Sequence, residues 1–270
     1  MSLTTKVMGV VNATPDSFSD GGLFLAETAA VSHGLGLLEA GADILDIGGE
    51  STRPRAEPVA EVEEFNRVVP VIAAIRAKRP DAVISVDTMK PAVARAAVRA
   101  GASIWNDVTA LGHAPESLAT AAELGCGVVL MHMLGEPRTM QANPRYDDVA
   151  EEVRDFLGLR AESAVRAGVA RERIWVDPGL GFGKTLEHNL ALLRAIPELK
   201  ALGYPVVIGA SRKSMIARLD PDGGARPEDR LGGSLALALW SAARGADVVR
   251  VHDVRETAQA LKAWAAVGGA

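Results

Sequence analysis

One phrase recurs along this chain: a helix-forming segment, a glycine, then a short β-rich run. The glycines are Gly41, Gly101, Gly125, Gly168, Gly203 and Gly245. A glycine in that place ends a helix in the left-handed conformation that other residues resist, so each marks a helix stop. The β-rich runs are KVMGVVN (6–12), ADILDIGG, AVISVDT, SIWNDV, GVVLMHM, RIWVDP, PVVIGAS and VVRVHDV (248–254). Between them, segments such as PAVARAAVRAG and LEHNLALLRAIPELKALG carry apolar residues at three- and four-residue spacing, which predicts helices. The strand runs are nearly continuous in apolar residues, as parallel strands covered on both faces should be. Eight strand–helix units in 270 residues, with no linker or composition break, predict an α/β fold, a single (β/α)8 TIM barrel spanning 1–270. An open doubly wound sheet would announce itself with a glycine-rich fingerprint after the first strand, and none is present.

Charge and cysteine content narrow the partners. With 29 basic and 34 acidic residues the net charge is −5 and no basic stripe is visible, which argues against nucleic acid. A single cysteine, Cys126, leaves no disulfide framework and no cysteine-based metal site. The stretch MSLTTKVMGVVN has one basic residue and too short an apolar run for a secretory signal. No apolar stretch approaches the roughly 20 residues of a membrane span. The expectation is a soluble, cytoplasmic protein that binds small molecules.

Polar residues fall where the strands end: Asn12, Asp46, Asp87, Asn106 with Asp107, His132, Asp177, Ser211, then Arg250 with His252. In a parallel barrel those ends converge on the face where active sites lie. One Asp after a strand is ordinarily a helix cap or turn residue. Carboxylate or amide groups from three different strands, Asp87, Asn106 and Asp177, would repel and lose hydration unless something used them. A metal is one candidate, but metal-dependent hydrolase barrels use a His-x-His pair after strand one, where this chain has Val-Val-Asn. A ligand rich in N–H donors suits the set better.

Lys213, in GASRKS, precedes a helical-looking SMIARL with Ser214 at its start, which reads as an anion site. Arg250 and His252 alternate on the last strand, face one side and join Lys213 in a cationic corner suited to phosphate. His132 reads as a core histidine, and Trp105, Trp175, Trp240 and Trp264 as packing residues. GLGFGK (179–184) is a weak phosphate-loop signal. Two segments leaving the same barrel face, NATPDSFSDGG (12–22) and GGESTRPR (48–55), are chemically denser than a spacer requires, and the first exceeds the usual two to six residues.

Taken in order, NATPDSFSDGG, DIGGESTRP, SVDT, WNDV, LMHMLGEPRTMQ, DPGLGFGK, GASRKS and RVHDV resemble the dihydropteroate synthases of folate biosynthesis, from Gly9 to about Val254. The resemblance implies condensation of 6-hydroxymethyl-7,8-dihydropterin pyrophosphate with p-aminobenzoate, releasing pyrophosphate, in a sulfonamide-targeted enzyme. It implies Asp87, Asn106 and Asp177 on the pterin's N–H edge, with Asp46 and Met131 in the same binding set. Lys213 faces the ring acceptors, and Phe182 and Arg250 flank the ring. Asn12, Arg250 and His252 hold the pyrophosphate, with Mg2+ at Asn12. Segments 12–22 and 48–55 form a lid in which Asp16 or Asp20 pairs Arg53. Phe18, Pro54 and Thr52 enclose p-aminobenzoate, and Ser214 takes its carboxylate.

Catalysis is thereby assigned to Asp87, Asp177, Lys213, Arg53 and Asp20, and a homodimer is implied. Arg55 stands where the family usually has glycine. A related methyltetrahydrofolate-handling methyltransferase barrel would lack TPDSF and STRP. A catalytically silent barrel would lack some of Asp87, Asp177, Lys213 and Arg250. All of these are present.

Overall fold

The computed structural model describes residues 5–13, 22–51, 57–135 and 139–268. The strands are β1 (Lys6–Asn12), β2 (Ile44–Gly48), β3 (Val83–Asp87), β4 (Ile104–Asp107), β5 (Gly127–Met131), β6 (Ile174–Asp177), β7 (Val207–Ile208) and β8 (Val248–Val251). All pair in parallel, in the order β6-β5-β4-β3-β2-β1-β8-β7. A parallel bridge between Val176 and Val206 brings the two ends of the sheet together. The result is the expected (β/α)8 barrel. β7 is shorter than its predicted run, because Pro205 has no N–H to give to a ladder and the chain turns sharply after Ile208. In that turn the Lys213 N–H reaches the Ala210 carbonyl at 3.4 Å and Arg212 sits at φ 57°.

Helices α1 (Gly22–Glu39), α2 (Glu61–Lys78), α3 (Pro91–Ala100), α4 (Ser117–Leu124) and α5 (Val149–Ala167) connect the first six strands. All six glycine stops have positive φ, from 57° at Gly125 to 121° at Gly101. The run LEHNLALLRAIPELKALG, read as one helical stretch, is two helices, α6 (Leu186–Arg194) and α7 (Ile196–Lys200). Pro197 causes the break, since within one continuous helix its ring would clash with the Leu193 carbonyl. That carbonyl accepts from Trp240 Nε1 at 3.1 Å instead. Helices α8 (Ser214–Leu219), α9 (Leu231–Ala243) and α10 (Val254–Ala266) complete the ring.

Two apolar layers hold the barrel. One lies between strands and helices and takes Val11, Leu45, Ile47, Val86, Trp105, Leu130 and Val249. The other fills the barrel itself with Met8, Ile44, Ile104, Val129, Val207 and Val248, against Trp175. Not all four tryptophans are core. Trp105 is fully buried, but Trp240 is 41% and Trp264 36% exposed, on α9 and α10. Among the described residues no helix is long and apolar enough to cross a membrane.

Candidate active site

Side chains alternate along a strand, so residues two apart share a face. The barrel-filling Ile44, Ile104 and Val248 are followed two positions later, on the same inner face, by Asp46, Asn106 and Arg250. Val129 is followed by Met131, Trp175 by Asp177 and the buried Ser85 by Asp87. The interior is therefore apolar at its N-terminal end and ionisable at its C-terminal end. Arg250 crosses that upper layer, donating from Nε to Asp46 Oδ2 at 2.6 Å and from Nη2 to Asp87 Oδ2 at 2.8 Å. Asn106 donates to the same Asp46 oxygen at 3.1 Å. Asp46 has no exposed surface. It is a brace beneath Arg250 and Asn106, and its Oδ1 has no partner among the described residues.

The rest of the site lies above this brace. Asp177 accepts from the Gly179 N–H at 2.7 Å, and Lys213 Nζ lies 4.3 Å from the centroid of the Phe182 ring. Burial pushes Asp87 up to about 7, although Arg250 pulls the other way, and burial also raises Asp177. Lys213 is lowered to about 8 by burial and by Arg250. His252 follows Arg250 two positions later, with Nδ1 3.0 Å from Ser211 Oγ. Burial and then Arg250 lower it to about 4, so it is a neutral imidazole at pH 7. The cationic corner is thus Arg250 and Lys213, with His252 contributing hydrogen bonds and no charge. Arg212, beside Lys213 in sequence, turns away to an ion pair with Asp253.

The same alternation removes two strand-end residues. Asp107, one position past Asn106, faces outward and holds a turn, accepting from the N–H groups of Thr109 at 2.7 Å and Leu111 at 3.1 Å. It steadies Ala110 and Leu111, non-glycine residues at φ 52° and 60°. His132 faces outward too and packs edge-on against Phe156 at 4.9 Å, the core histidine expected. What the sequence reading missed is its partner. Lys184, 2% exposed, places Nζ 2.9 Å from His132 Nδ1. The signal available was the glycine run before it. A second missed group is Lys90, which bridges Glu50 and the fully buried Glu64 at 2.5 Å each.

Comparison with known proteins agrees with this geometry. The family model described as pterin binding enzyme matches residues 8–252, from the barrel floor to the end of the site. The chain is 48% identical to the dihydropteroate synthase of Escherichia coli K12 over 256 residues, 95% of this chain and 89% of that protein. The chain belongs to the dihydropteroate synthase family. The dihydropteroate synthase of Neisseria meningitidis serogroup C is 49% identical over 97% of this chain and 93% of its own length. Among solved structures, the Xanthomonas albilineans dihydropteroate synthase with 4-aminobenzoic acid superposes with a TM-score of 0.92 at 50% identity. That match covers 98% of this chain and 94% of the other. The same synthase in complex with 7,8-dihydropteroate gives 0.88 at 48% identity, over 98% of this chain and 94% of that one.

Several residues that the dihydropteroate synthase resemblance singles out, Asp16, Phe18, Asp20, Thr52, Arg53, Pro54 and Arg55, lie outside the described residues. Of the others, Asn12 ends β1 and is exposed, Met131 ends β5 and is buried, and Ser214 opens α8 and is exposed. Lys213, Ser214 and Arg218 line one small depression with Gln141, Gly181 and Asn189. Among the described residues, no three His, Cys, Asp or Glu side chains are placed to hold a metal. Asn12 presents one hard amide oxygen. That suits Mg2+ bound mainly by phosphate and water, and would not suit an ion needing a protein cage.

Proposed function

We propose that this chain condenses 6-hydroxymethyl-7,8-dihydropterin pyrophosphate with p-aminobenzoate to give 7,8-dihydropteroate and pyrophosphate. The observation that carries the reading is the Arg250 brace: it holds Asp87 directly and Asn106 through Asp46 on the inner face that Asp177 shares, within electrostatic reach of Lys213, which lies over Phe182. A pterin offers an edge of N–H donors and ring acceptors. Asp87, Asn106 and Asp177 pair with the donors, Lys213 reaches the acceptors, and Phe182 and Arg250 flank the ring. Two Arg250 nitrogens are committed to carboxylates, and Nη1, without a partner among the described residues, is left for a ligand.

In the reaction the methylene C–O bond breaks and pyrophosphate leaves with its electron pair. The p-aminobenzoate nitrogen forms the new C–N bond and gives up a proton. Between these events the methylene is cationic. The carboxylates of Asp87 and Asp177 stabilise that charge, and segments 12–22 and 48–55 are assigned to exclude water, with Asp16 or Asp20 paired to Arg53. Asn12 and His252 hold the pyrophosphate, and Mg2+ at Asn12 neutralises its charge when bound. Phe18, Thr52 and Pro54 enclose p-aminobenzoate, and Ser214 takes its carboxylate.

The test is pyrophosphate release by the purified protein with the pterin substrate and Mg2+, with and without p-aminobenzoate. Release that neither needs nor responds to p-aminobenzoate refutes the condensation. Calorimetry adds a second check: p-aminobenzoate should bind much more weakly to the free protein than in the presence of pyrophosphate and a pterin analogue. Equal affinity means no coupling free energy and no assembled pocket.

A homodimer and a cytoplasmic location complete the proposal. Gly232, Ala236, Trp240 and Ala243 form an exposed stripe of small and apolar residues along α9, which a second copy would cover. Sedimentation velocity on the wild type and Trp240→Glu tests the dimer, the variant being expected to shift to monomer.

A further inference from the structure

The connection from β6 to α6 forms one wall of the site, yet side chains rather than a strand or helix ladder hold most of its backbone. Gly181 N donates to Asn189 Oδ1 at 2.7 Å, and Gly181 O accepts from Gln141 Nε2. Gly183 O accepts from Tyr146 Oη at 2.9 Å, and Phe182 O from Lys184 Nζ at 3.0 Å. Gly179, Gly181 and Gly183 have φ 67°, 82° and 65°. A Cβ on Gly179 would lie 1.9 Å from the His132 carbonyl oxygen, and one on Gly183 would lie 2.7 Å from that of Leu134. The segment is pressed flat on the backbone leaving β5, and Phe182 projects from it under Lys213.

Lys184 fastens these two segments together. Its Nζ has three acceptors, His132 Nδ1 at 2.9 Å, Phe182 O at 3.0 Å and His132 O at 3.3 Å. Three acceptors match the three N–H groups of an ammonium. Burying an ammonium forfeits its hydration, and a thioether or aliphatic side chain would fill the same space without that loss. Packing alone therefore does not account for a lysine here. Burial lowers Lys184 to about 7, and His132, lowered to about 3 by burial and by Lys184, stays an acceptor.

We infer that Lys184 is a positioning residue for the pterin: it ties the Phe182 backbone to β5 at His132, and so fixes the Phe182 ring that stacks on the bound pterin. Lys184 acts through Phe182 and touches no substrate. The inference rests on the proposed pterin-binding reading.

The experiment is a double-mutant cycle on the full chain, with 6-hydroxymethylpterin as calorimetric probe and pyrophosphate present. Lys184→Met should weaken the probe about tenfold, and in the Phe182→Leu background should cost no more than about twofold further, because coupled residues are not additive. KM for p-aminobenzoate should stay within about threefold while KM for the pterin substrate rises. Should Lys184→Met not fold, His132→Leu, which removes the Nδ1 acceptor, replaces it in the same cycle with the same expectation. Probe affinity within about twofold of wild type, or penalties that multiply in the double variant, overturns the inference. If the wild type itself fails to bind the probe, the functional reading falls as well, and the two failures are told apart.

Discussion

Replacing Arg250 with methionine should destabilise the protein by an amount that shrinks as the pH falls. Methionine keeps most of the side-chain length and removes the cation that Asp46 and Asp87 share. Removing one partner of a buried pair costs about 3–5 kcal/mol, because the remaining charge is stranded in low dielectric. Protonation caps that cost. Asp87 is already raised to about 7 by burial against the pull of Arg250, and without that cation it rises further, so it takes up a proton at and below neutral pH. One pKa unit is about 1.4 kcal/mol of differential interaction, so the part of the cost carried by Asp87 is present at pH 7.5 and is lost as pH falls below about 7. In the variant the Asp87 carboxyl has a folded-state pKa raised still further above its unfolded value. The folded form therefore holds the extra proton, and stability is gained as pH falls toward about 4. Urea unfolding of wild type and Arg250→Met at pH 7.5, 6.5 and 5.5 measures this. A gap that stays constant across these pH values, or one below about 1 kcal/mol at pH 7.5, would refute the shared-brace reasoning.

Other perturbations separate the parts of the molecule. Asp177→Asn should lower pterin-analogue affinity by roughly 10- to 100-fold in calorimetry, since the amide turns donors toward ligand donors and one or two charge-assisted bonds are lost. Gly179→Ala should prevent folding or cost more than about 3 kcal/mol in thermal unfolding, given φ 67° and a Cβ 1.9 Å from a carbonyl oxygen. Gly36→Ala, in α1 with nothing within 4 Å of the added methyl, should instead stabilise by about 0.5–1 kcal/mol. Lys90→Met should cost about 3–5 kcal/mol, because Glu64 is fully buried and loses its cation. Burial works to lower Lys90, but its bonds to Glu50 and Glu64 outweigh burial and raise it. The wild type should therefore lose this contribution as pH climbs above about 10, and Lys90→Met should not.

The repeating helix–glycine–strand phrase made the barrel legible because a helix stop is a local event: a glycine at φ 95°, as at Gly245, is needed wherever the helix sits. Face assignment was equally local. Counting in twos from the strand interiors separates Asn106 from Asp107 and Met131 from His132 without any structure. Reading every strand-end polar residue as convergent missed that parity for Asp107, whose carboxylate holds a turn. The break at Pro197 was available from proline chemistry, whereas the exposure of Trp240 and Trp264 was not, since it depends on which helix faces are left uncovered.

Least legible was charge. The state of Lys184, His132 and His252 depends on burial and on partners distant in sequence, and Arg250 meets Asp46 across the whole chain. Those long-range terms also give the site its chemical character. Burial raises Asp87 and Asp177 and lowers Lys213 and Lys184, so opposite charges are all held at a disadvantage in one small volume. Hydrogen bonds to a charged form favour that form. A neutral ligand that donates to the carboxylates and accepts from Lys213 therefore stabilises anions and cation together, offsetting the cost of their burial. A purely anionic ligand could satisfy the lysine but would oppose the carboxylates, which is why the floor of this barrel suits a heterocycle with donors and acceptors on adjoining edges.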